Sequence, residues 1–177
     1  MTINCKGELI DFSSPKVMGV LNITPDSFYD GGRFTNEKEI LYQTEKMLTE
    51  GATFIDVGAY SSKPGATHIS EDEELKRIIP AITAILKEFP KTIISVDTFR
   101  SNVAKETIAN GAALINDISG GTLDERMFET VAMLQVPYIL MHMKGTPQNM
   151  QKNPTYENIT TELISFFANQ IFKLHQL

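Results

Sequence analysis

Residues 91–117, KTIISVDTFRSNVAKETIANGAALIND, hold two short apolar runs separated by a segment with helical spacing. Thr92–Val96 and Ala113–Asn116 are almost continuously apolar, which is typical of strands buried on both faces. Ser101–Ala109 between them has the period of a helix, and Gly111 follows it where a left-handed helix end favours glycine. The stretch therefore predicts a strand, a helix and a second strand parallel to the first.

The same alternation extends through the rest of the chain. The other predicted strands are Val17–Ile23, Thr53–Val57 and Pro137–His142, and the other predicted helices are Glu37–Glu50, Glu71–Phe89, Leu123–Leu134 and Tyr156–Leu177. About five consecutive βα units indicate an α/β protein with a parallel sheet. We interpret them as part of a TIM (β/α)8 barrel, which has eight such units in about 250 residues.

Local turn and capping signals add detail to this barrel. Ile3–Phe12, with Lys6-Gly7 in its middle, predicts an N-terminal hairpin that covers the bottom of the barrel. Asn36, Ser70 and Thr122 each precede a glutamate by three residues, the spacing of a helix N-cap.

With 177 residues, 42% of them apolar, the chain predicts one domain with a sizeable core. We expect residues 1–177 to form a single barrel domain that is truncated before its last three βα units. The first and last strands of the sheet would then be open, apolar edges.

Composition excludes several classes of partner. The net charge of −6, without a basic run, argues against binding of nucleic acid. Cys5 is the only cysteine, which excludes an internal disulfide and a thiolate zinc cluster and favours a cytoplasmic protein. Met1–Ser14 lacks a signal-peptide core, and no segment approaches the roughly 20 apolar residues of a membrane span. We expect a soluble protein without a membrane or nucleic-acid partner.

Polar residues fall at or near the carboxyl end of every predicted strand. They are Asn22, Asp56, Asp97, Asn116 with Asp117, and His142. In βα barrels this end of the strands forms the active-site face. A buried polar residue that satisfies loop amides is an equally good explanation for any one of them, and for His142 it is the better one. The five strand ends together favour a site.

Two long loops follow the first two strands. Asn22–Gly32 contains Asp26 and a glycine pair, and Gly58–Ala66 contains hydroxyl groups, Lys63 and a Pro-Gly turn. Long loops in compact domains are often functional. The composition of the second loop suits phosphate or another anion.

Five motifs occur in the order and spacing of dihydropteroate synthases, a family of pterin-binding enzymes. They are Asn22–Phe28, Asp56 with Ser62–Ala66, Ser95–Thr98, Ile115–Ile118 and Leu140–Met143. The match runs from about Val17 to Met150 without a gap, and the chain resembles the N-terminal five-eighths of that family. The resemblance implies magnesium-dependent displacement of pyrophosphate from hydroxymethyl-dihydropterin pyrophosphate by p-aminobenzoate, a step of folate biosynthesis that sulfonamides target.

The resemblance also implies roles for individual residues. Asn22 would coordinate Mg²⁺ through its amide oxygen. Asp97 and Asn116 would hold the pterin ring, Asp97 also stabilising a pterin cation, and Met141 would pack on the ring face. The remaining contacts, to pyrophosphate or p-aminobenzoate, would come from the two loops: Asp26, Ser62, Lys63 and Pro64.

The chain departs from the family in two respects. Tyr60, Ser62 and Lys63 stand where most relatives have Glu, Thr and Arg, and lysine lacks the planar fork with which arginine grips an anion. The aspartate, lysine, arginine and histidine that the family's later strands supply have no counterpart before Leu177. The resemblance therefore implies that this chain alone is inactive or nearly so, and that the full-length form is a homodimer.

Two other functions stay open. A related pterin-binding barrel transfers a methyl group from a folate to a corrinoid, but it lacks the two p-aminobenzoate loops. A non-catalytic half barrel, or one subunit of a split enzyme, would also carry these motifs.

Overall fold

A computed structural model describes residues 1–24, 33–60 and 68–177, without the side chains of 33–36. Five parallel strands form one sheet in chain order: β3 (Met18–Asn22), β4 (Phe54–Gly58), β5 (Ile93–Asp97), β6 (Leu114–Asp117) and β7 (Tyr138–Leu140). An antiparallel hairpin, β1 (Thr2–Cys5) and β2 (Glu8–Asp11), precedes them. The helices are α1 (Arg33–Thr49), α2 (Glu71–Glu88), α3 (Ser101–Ala109), α4 (Met127–Leu134) and α5 (Ile159–Leu174). The predicted hairpin and the five βα units are confirmed.

The two faces of the sheet are buried by different partners. Ile55, Val57, Ile94, Val96 and Ile115 point to the outer face and are fully buried among the helices. The inner face is closed at its amino end by the hairpin, whose Cys5 and Ile10 pack with Phe54, Ile93 and Leu114. The prediction that the hairpin covers the bottom of the barrel is confirmed, and at the carboxyl end of the inner face Asn22 is exposed within the described part of the chain.

The two outermost strands of the sheet, β3 and β7, each pair on one side only within the described part of the chain. Val20 on β3 is 62% exposed, and Ile139 on β7 is 38% exposed. Both lie on the inner face, because Val20 is in register with Asp56 and Ile139 with Asn116. Within the described residues, no helix is long and apolar enough to cross a membrane.

The predicted helix starts are correct in one case of three. Ser70 Oγ accepts a hydrogen bond from the Glu73 N–H at 3.2 Å, as an N-cap should. The cap at Asn36 is wrong because α1 begins earlier, at Arg33. The cap at Thr122 is also wrong, since α4 begins only at Met127.

Asp124 explains the late start of α4. Its carboxylate accepts from the Ser101 N–H at 2.7 Å and from the Arg126 N–H at 3.0 Å. One side chain thereby satisfies amides at the starts of both α3 and α4. The Thr122 hydroxyl instead donates to the Ser119 carbonyl within the preceding turn.

Gly120→Ala is expected to lower the free energy of unfolding by about 2–4 kcal/mol. Gly120 has φ +58°, and a methyl group there would overlap the Met141 carbonyl oxygen and lie 3.0 Å from Phe166 Cζ. Gly51→Ala is the matched control, because Gly51 has φ +101° with nothing within 4 Å of the added methyl. Urea unfolding of both variants measures the difference. Equal losses would show that backbone strain, and not the contact with Met141, makes glycine necessary.

Candidate active site

Four residues share one level at the carboxyl end of the inner face. The strand register places Asn22 beside Gly58, Gly58 beside Asp97, and Asp97 beside Asn116. Residues in register on adjacent strands project to the same side of a sheet. The structure therefore brings together three residues that the sequence marked as candidates: Asn22, Asp97 and Asn116.

Gly58 leaves room between two of these side chains. A Cβ built on Gly58 would lie 3.4 Å from Asn22 Oδ1 and 3.4 Å from Asp97 Oδ2. Because glycine has no side chain, an amide oxygen and a carboxylate oxygen border the same open space.

Asp97 carries the most perturbed carboxyl group of the site. Burial, reinforced by the negative charges of Asp56, Glu74 and Asp117, raises the pKa of Asp97 from 3.8 to about 7. Perturbed carboxyl groups in a cleft are typical of functional sites. At neutral pH this group is poised between its protonated and charged forms.

A second level lies directly beneath and contains Val20, Asp56, Ser95 and Leu114. Asp56 is 4% exposed, and its Oδ2 accepts a hydrogen bond from Asn116 Nδ2 at 2.9 Å. Burial raises the pKa of Asp56, and the neighbouring Ser95 and Asn116 side chains oppose this. From the sequence, Asp56 was a strand-end residue without an assigned role. In the structure its carboxylate holds the side chain of Asn116, which belongs to the level above.

Asp117 and His142 make structural contacts. Asp117 is fully buried and accepts from the Ser119 N–H, the Gly121 N–H and the Tyr138 hydroxyl at 2.6–2.9 Å. These bonds close the turn after β6, which is the equally good explanation that the sequence left open. The His142 ring packs edge-on against Phe166, with centroids 4.9 Å apart, and also contacts Tyr156.

A cluster of side chains around Tyr60 was not predicted from the sequence. The Tyr60 hydroxyl accepts from Gln148 Nε2 at 2.7 Å and lies 3.1 Å from His68 Nδ1. The Tyr60 ring packs edge-on against Phe99, and the Arg100 guanidinium lies 5.4 Å from its centroid. Segments after β4, β5 and β7 thus meet at one aromatic side chain.

The remaining candidates come from the two loops and from the end of β7. Asp26, Ser62, Lys63 and Pro64 lie outside the described residues. Met141 follows β7 directly and is 37% exposed. In the described ranges, no group of three or more His, Cys, Asp or Glu side chains is arranged to hold a metal ion.

The parallel βα units and the level that contains Asn22, Asp97 and Asn116 define a class of protein. It is a βα-barrel protein with a polar pocket at the carboxyl ends of its strands. Residues 18–177 match the family described as "Pterin binding enzyme", and the chain belongs to that family. Within it, the resemblance to dihydropteroate synthases is confirmed. The chain is 42% identical over 170 residues to the dihydropteroate synthase of Haemophilus influenzae, covering 96% of this chain and 61% of the relative.

A plant relative and two solved structures agree with this assignment. The mitochondrial folate synthesis bifunctional protein of Pisum sativum is 48% identical over 168 residues, covering 92% of this chain. The Yersinia pestis dihydropteroate synthase, solved as a sulfonamide complex, superposes with a TM-score of 0.88 at 40% identity, covering 99% of this chain and 63% of that one. The Xanthomonas albilineans enzyme with 4-aminobenzoic acid gives 0.85 at 35%, with coverages of 98% and 60%. The predicted α/β barrel class is confirmed.

The chain spans only part of its relatives. It covers 33% of the Pisum sativum protein and about three fifths of the bacterial enzymes. Activity, substrates and partners of the whole protein are therefore taken up as proposals.

Proposed function

We propose that the protein carrying this chain is a dihydropteroate synthase. It condenses hydroxymethyl-dihydropterin pyrophosphate with p-aminobenzoate and releases dihydropteroate and pyrophosphate. The observation that carries the proposal is the level of Asn22, Asp97 and Asn116 at the open end of the barrel strands in a member of the pterin binding enzyme family. The relative that was solved with 4-aminobenzoic acid supports the second substrate.

Asp97 and Asn116 bind the pterin ring in this proposal. The charged carboxylate accepts hydrogen bonds from ring N–H and amino groups, and the Asn116 amide both donates and accepts. Met141 packs on the ring face. The carbon–oxygen bond to pyrophosphate breaks, the amine nitrogen bonds to the same carbon, and the amine loses a proton. Asp97 stabilises the positive charge that develops on the pterin.

A magnesium ion fits the donors of this level. Asn22 Oδ1 is a hard, neutral oxygen ligand, and it borders the same space as Asp97 Oδ2. Mg²⁺ commonly takes one or two protein oxygens and completes its shell with phosphate oxygens and water. Asn22 would hold the ion, which when bound neutralises charge on the departing pyrophosphate. Asp26, Ser62, Lys63 and Pro64 complete the proposed set of substrate contacts.

The isolated chain is proposed to have little or no turnover. The described pocket presents oxygen atoms and negative charge, and Arg100 beside it is already paired with Glu74. The domain formed by 1–177 therefore needs the cationic groups that the family resemblance places in later barrel strands. A homodimer and a cytoplasmic location of the full-length form are parts of the same proposal.

The decisive experiment measures pyrophosphate release from the pterin substrate with and without p-aminobenzoate, using the complete protein and this chain separately. Release that depends on p-aminobenzoate is expected for the complete protein. Its absence, together with methyl transfer from a folate, would establish the methyltransferase alternative. Turnover by the purified chain alone would contradict its proposed inactivity.

Asn22→Ala in the complete protein is expected to raise the magnesium concentration for half-maximal activity by about tenfold. The amide oxygen is the protein ligand that the variant removes. Asn110→Ala is the matched control, because the Asn110 side chain is exposed and bonds to the Glu106 carbonyl of its own helix. An unchanged magnesium requirement in Asn22→Ala would remove Asn22 from the metal site.

A further inference from the structure

One carboxylate beneath the pocket has no part in the proposed reaction. Asp56 lies on the inner face of β4, one level below Gly58, and is 4% exposed. Its Oδ2 accepts a hydrogen bond from Asn116 Nδ2 and the Ser95 hydroxyl is a second polar neighbour, but none of the ion pairs among the described residues includes Asp56. A buried carboxylate disfavours folding unless it is fully paired. Stability therefore does not explain why Asp56 is there.

The bond to Asp56 determines how the Asn116 amide is turned. The two ends of an amide differ, since Nδ2 donates hydrogen bonds and Oδ1 accepts them. A carboxylate only accepts, so Asp56 holds the Nδ2 end towards itself at 2.9 Å. Oδ1 is thereby directed away from Asp56. The charged acceptor makes this bond stronger than one between neutral groups.

A fixed amide gives the pocket a defined pattern of acceptors. Asp97 and Asn116 are in register on adjacent strands, so a carboxylate oxygen and the Asn116 Oδ1 belong to the same level. Two neighbouring acceptors match the adjacent N–H groups of an amino-pyrimidinone edge. In a ring with a carbonyl in place of the amino group, the carbonyl oxygen would face these two acceptor oxygens. Acceptors that face each other without water between them are unfavourable.

We propose that Asp56 is a positioning residue for ligand recognition, which fixes the Asn116 amide so that the pocket selects 2-amino-4-oxopteridines over their 2-oxo analogues. The inference rests on the proposed function and names the residue that sets its ring specificity. Asp56 acts through Asn116 and does not itself touch the ligand.

Ser95 provides a matched control on the same level. It is in register with Asp56 and fully buried, and its hydroxyl lies close enough to lower the pKa of the Asp56 carboxyl group. Ser95→Ala therefore removes a buried polar group without removing the Asp56–Asn116 bond. Asp56→Ala removes that bond.

The test measures dissociation constants of 6-hydroxymethylpterin and of its 2-oxo analogue for the unaltered protein and for both variants. Asp56→Ala is expected to weaken pterin binding about tenfold and to reduce the preference over the 2-oxo analogue, whereas Ser95→Ala leaves both unchanged. A parallel loss of both affinities, accompanied by a lower melting temperature, would assign Asp56 a structural role and overturn the inference.

A double-mutant cycle tests whether Asp56 acts through Asn116. In an Asn116→Ala background, Asp56→Ala is expected to cause no further loss of pterin affinity, and additive losses would contradict the proposal. The ¹⁵N resonances of the Asn116 side chain give a readout that needs no ligand. They should shift in Asp56→Ala and stay in place in Ser95→Ala. Unshifted resonances overturn the inference, whereas shifted resonances without any pterin binding by the unaltered protein overturn the proposed function and its ligand.

Discussion

Arg100→Met is expected to lower the free energy of unfolding by about 3–5 kcal/mol, because it leaves a buried carboxylate without its counter-ion. The Glu74 side chain is completely buried, forms an ion pair with Arg100 and accepts from the Thr98 hydroxyl at 2.8 Å. Arg100 is itself only 11% exposed, and it also donates to the Ile69 carbonyl at 2.6 Å. One guanidinium therefore joins α2, the segment before it and the turn after β5.

Two comparisons isolate the lone charge as the cause. The double variant Arg100→Met with Glu74→Leu is expected to recover most of the loss, since it leaves no buried charge unpaired. Arg77→Met, which breaks the more exposed pair with Glu73, is expected to change stability by less than about 1 kcal/mol. Urea unfolding at pH 5 and pH 8 measures all three variants. Burial raises the pKa of Glu74 against the effects of Thr98 and Arg100, so the Arg100→Met deficit should shrink at the lower pH.

Asp97→Asn is expected to stabilise the fold above pH 7 while weakening pterin binding. The pKa of Asp97 is about 7 in the folded state against an ordinary value of 3.8, so the folded chain holds an extra proton between these values. Stability therefore falls as pH rises from about 4 to 7 and is constant above that. The neutral amide removes this dependence, and the gain above pH 7 is on the order of 4 kcal/mol. The same substitution removes the charged acceptor for the ring.

Asp124→Asn is the control, because it is expected to change stability at neutral pH in the opposite direction. Partial burial opposes the shift, but hydrogen bonds from Ser101 and Arg126 lower the pKa of Asp124 below its usual value. That carboxylate contributes stability above its unfolded pKa, and the contribution is lost as pH falls through the folded pKa. Melting temperatures from pH 4 to pH 8 should thus show a gain for Asp97→Asn and a loss for Asp124→Asn at neutral pH. A loss for both variants would contradict the raised pKa of Asp97.

The elements of the fold are encoded locally, which explains why the sequence predicts them well. The apolar run Thr92–Val96 corresponds to β5 at Ile93–Asp97, and Ser101–Ala109 is α3 without any change of bounds. Gly111 has φ +106°, as its position after α3 required. The cap at Thr122 failed because Asp124, whose carboxylate bonds α3 as well as α4, outcompetes it through a tertiary contact that no local pattern contains.

The sequence predicts which polar residues lie at the ends of strands, and it predicts the site only to that extent. Asn116 and Asp117 are equally polar in the sequence, but strand alternation turns Asn116 to the pocket and Asp117 to the outer face. The level at which a residue lies along the inner face is harder to predict from the sequence. It depends on the register of β4 against β5, which places Asp56 one level below Asp97. The ion pair of Glu74 with Arg100 joins residues 26 positions apart, and no motif connects them.

The junction at Tyr60 has a consequence for how this family diversifies. One hydroxyl group joins His68, eight residues away, and Gln148, 88 residues away. A glutamate at position 60, the residue that the family resemblance implies for most relatives, would present an anion to the Gln148 amide and to the His68 ring in place of a neutral phenol. We therefore expect the residues at the three positions to vary together. Relatives that carry tyrosine at position 60 should show correlated replacements at 68 and 148, and Tyr60→Glu should be tolerated best when those two positions are changed with it.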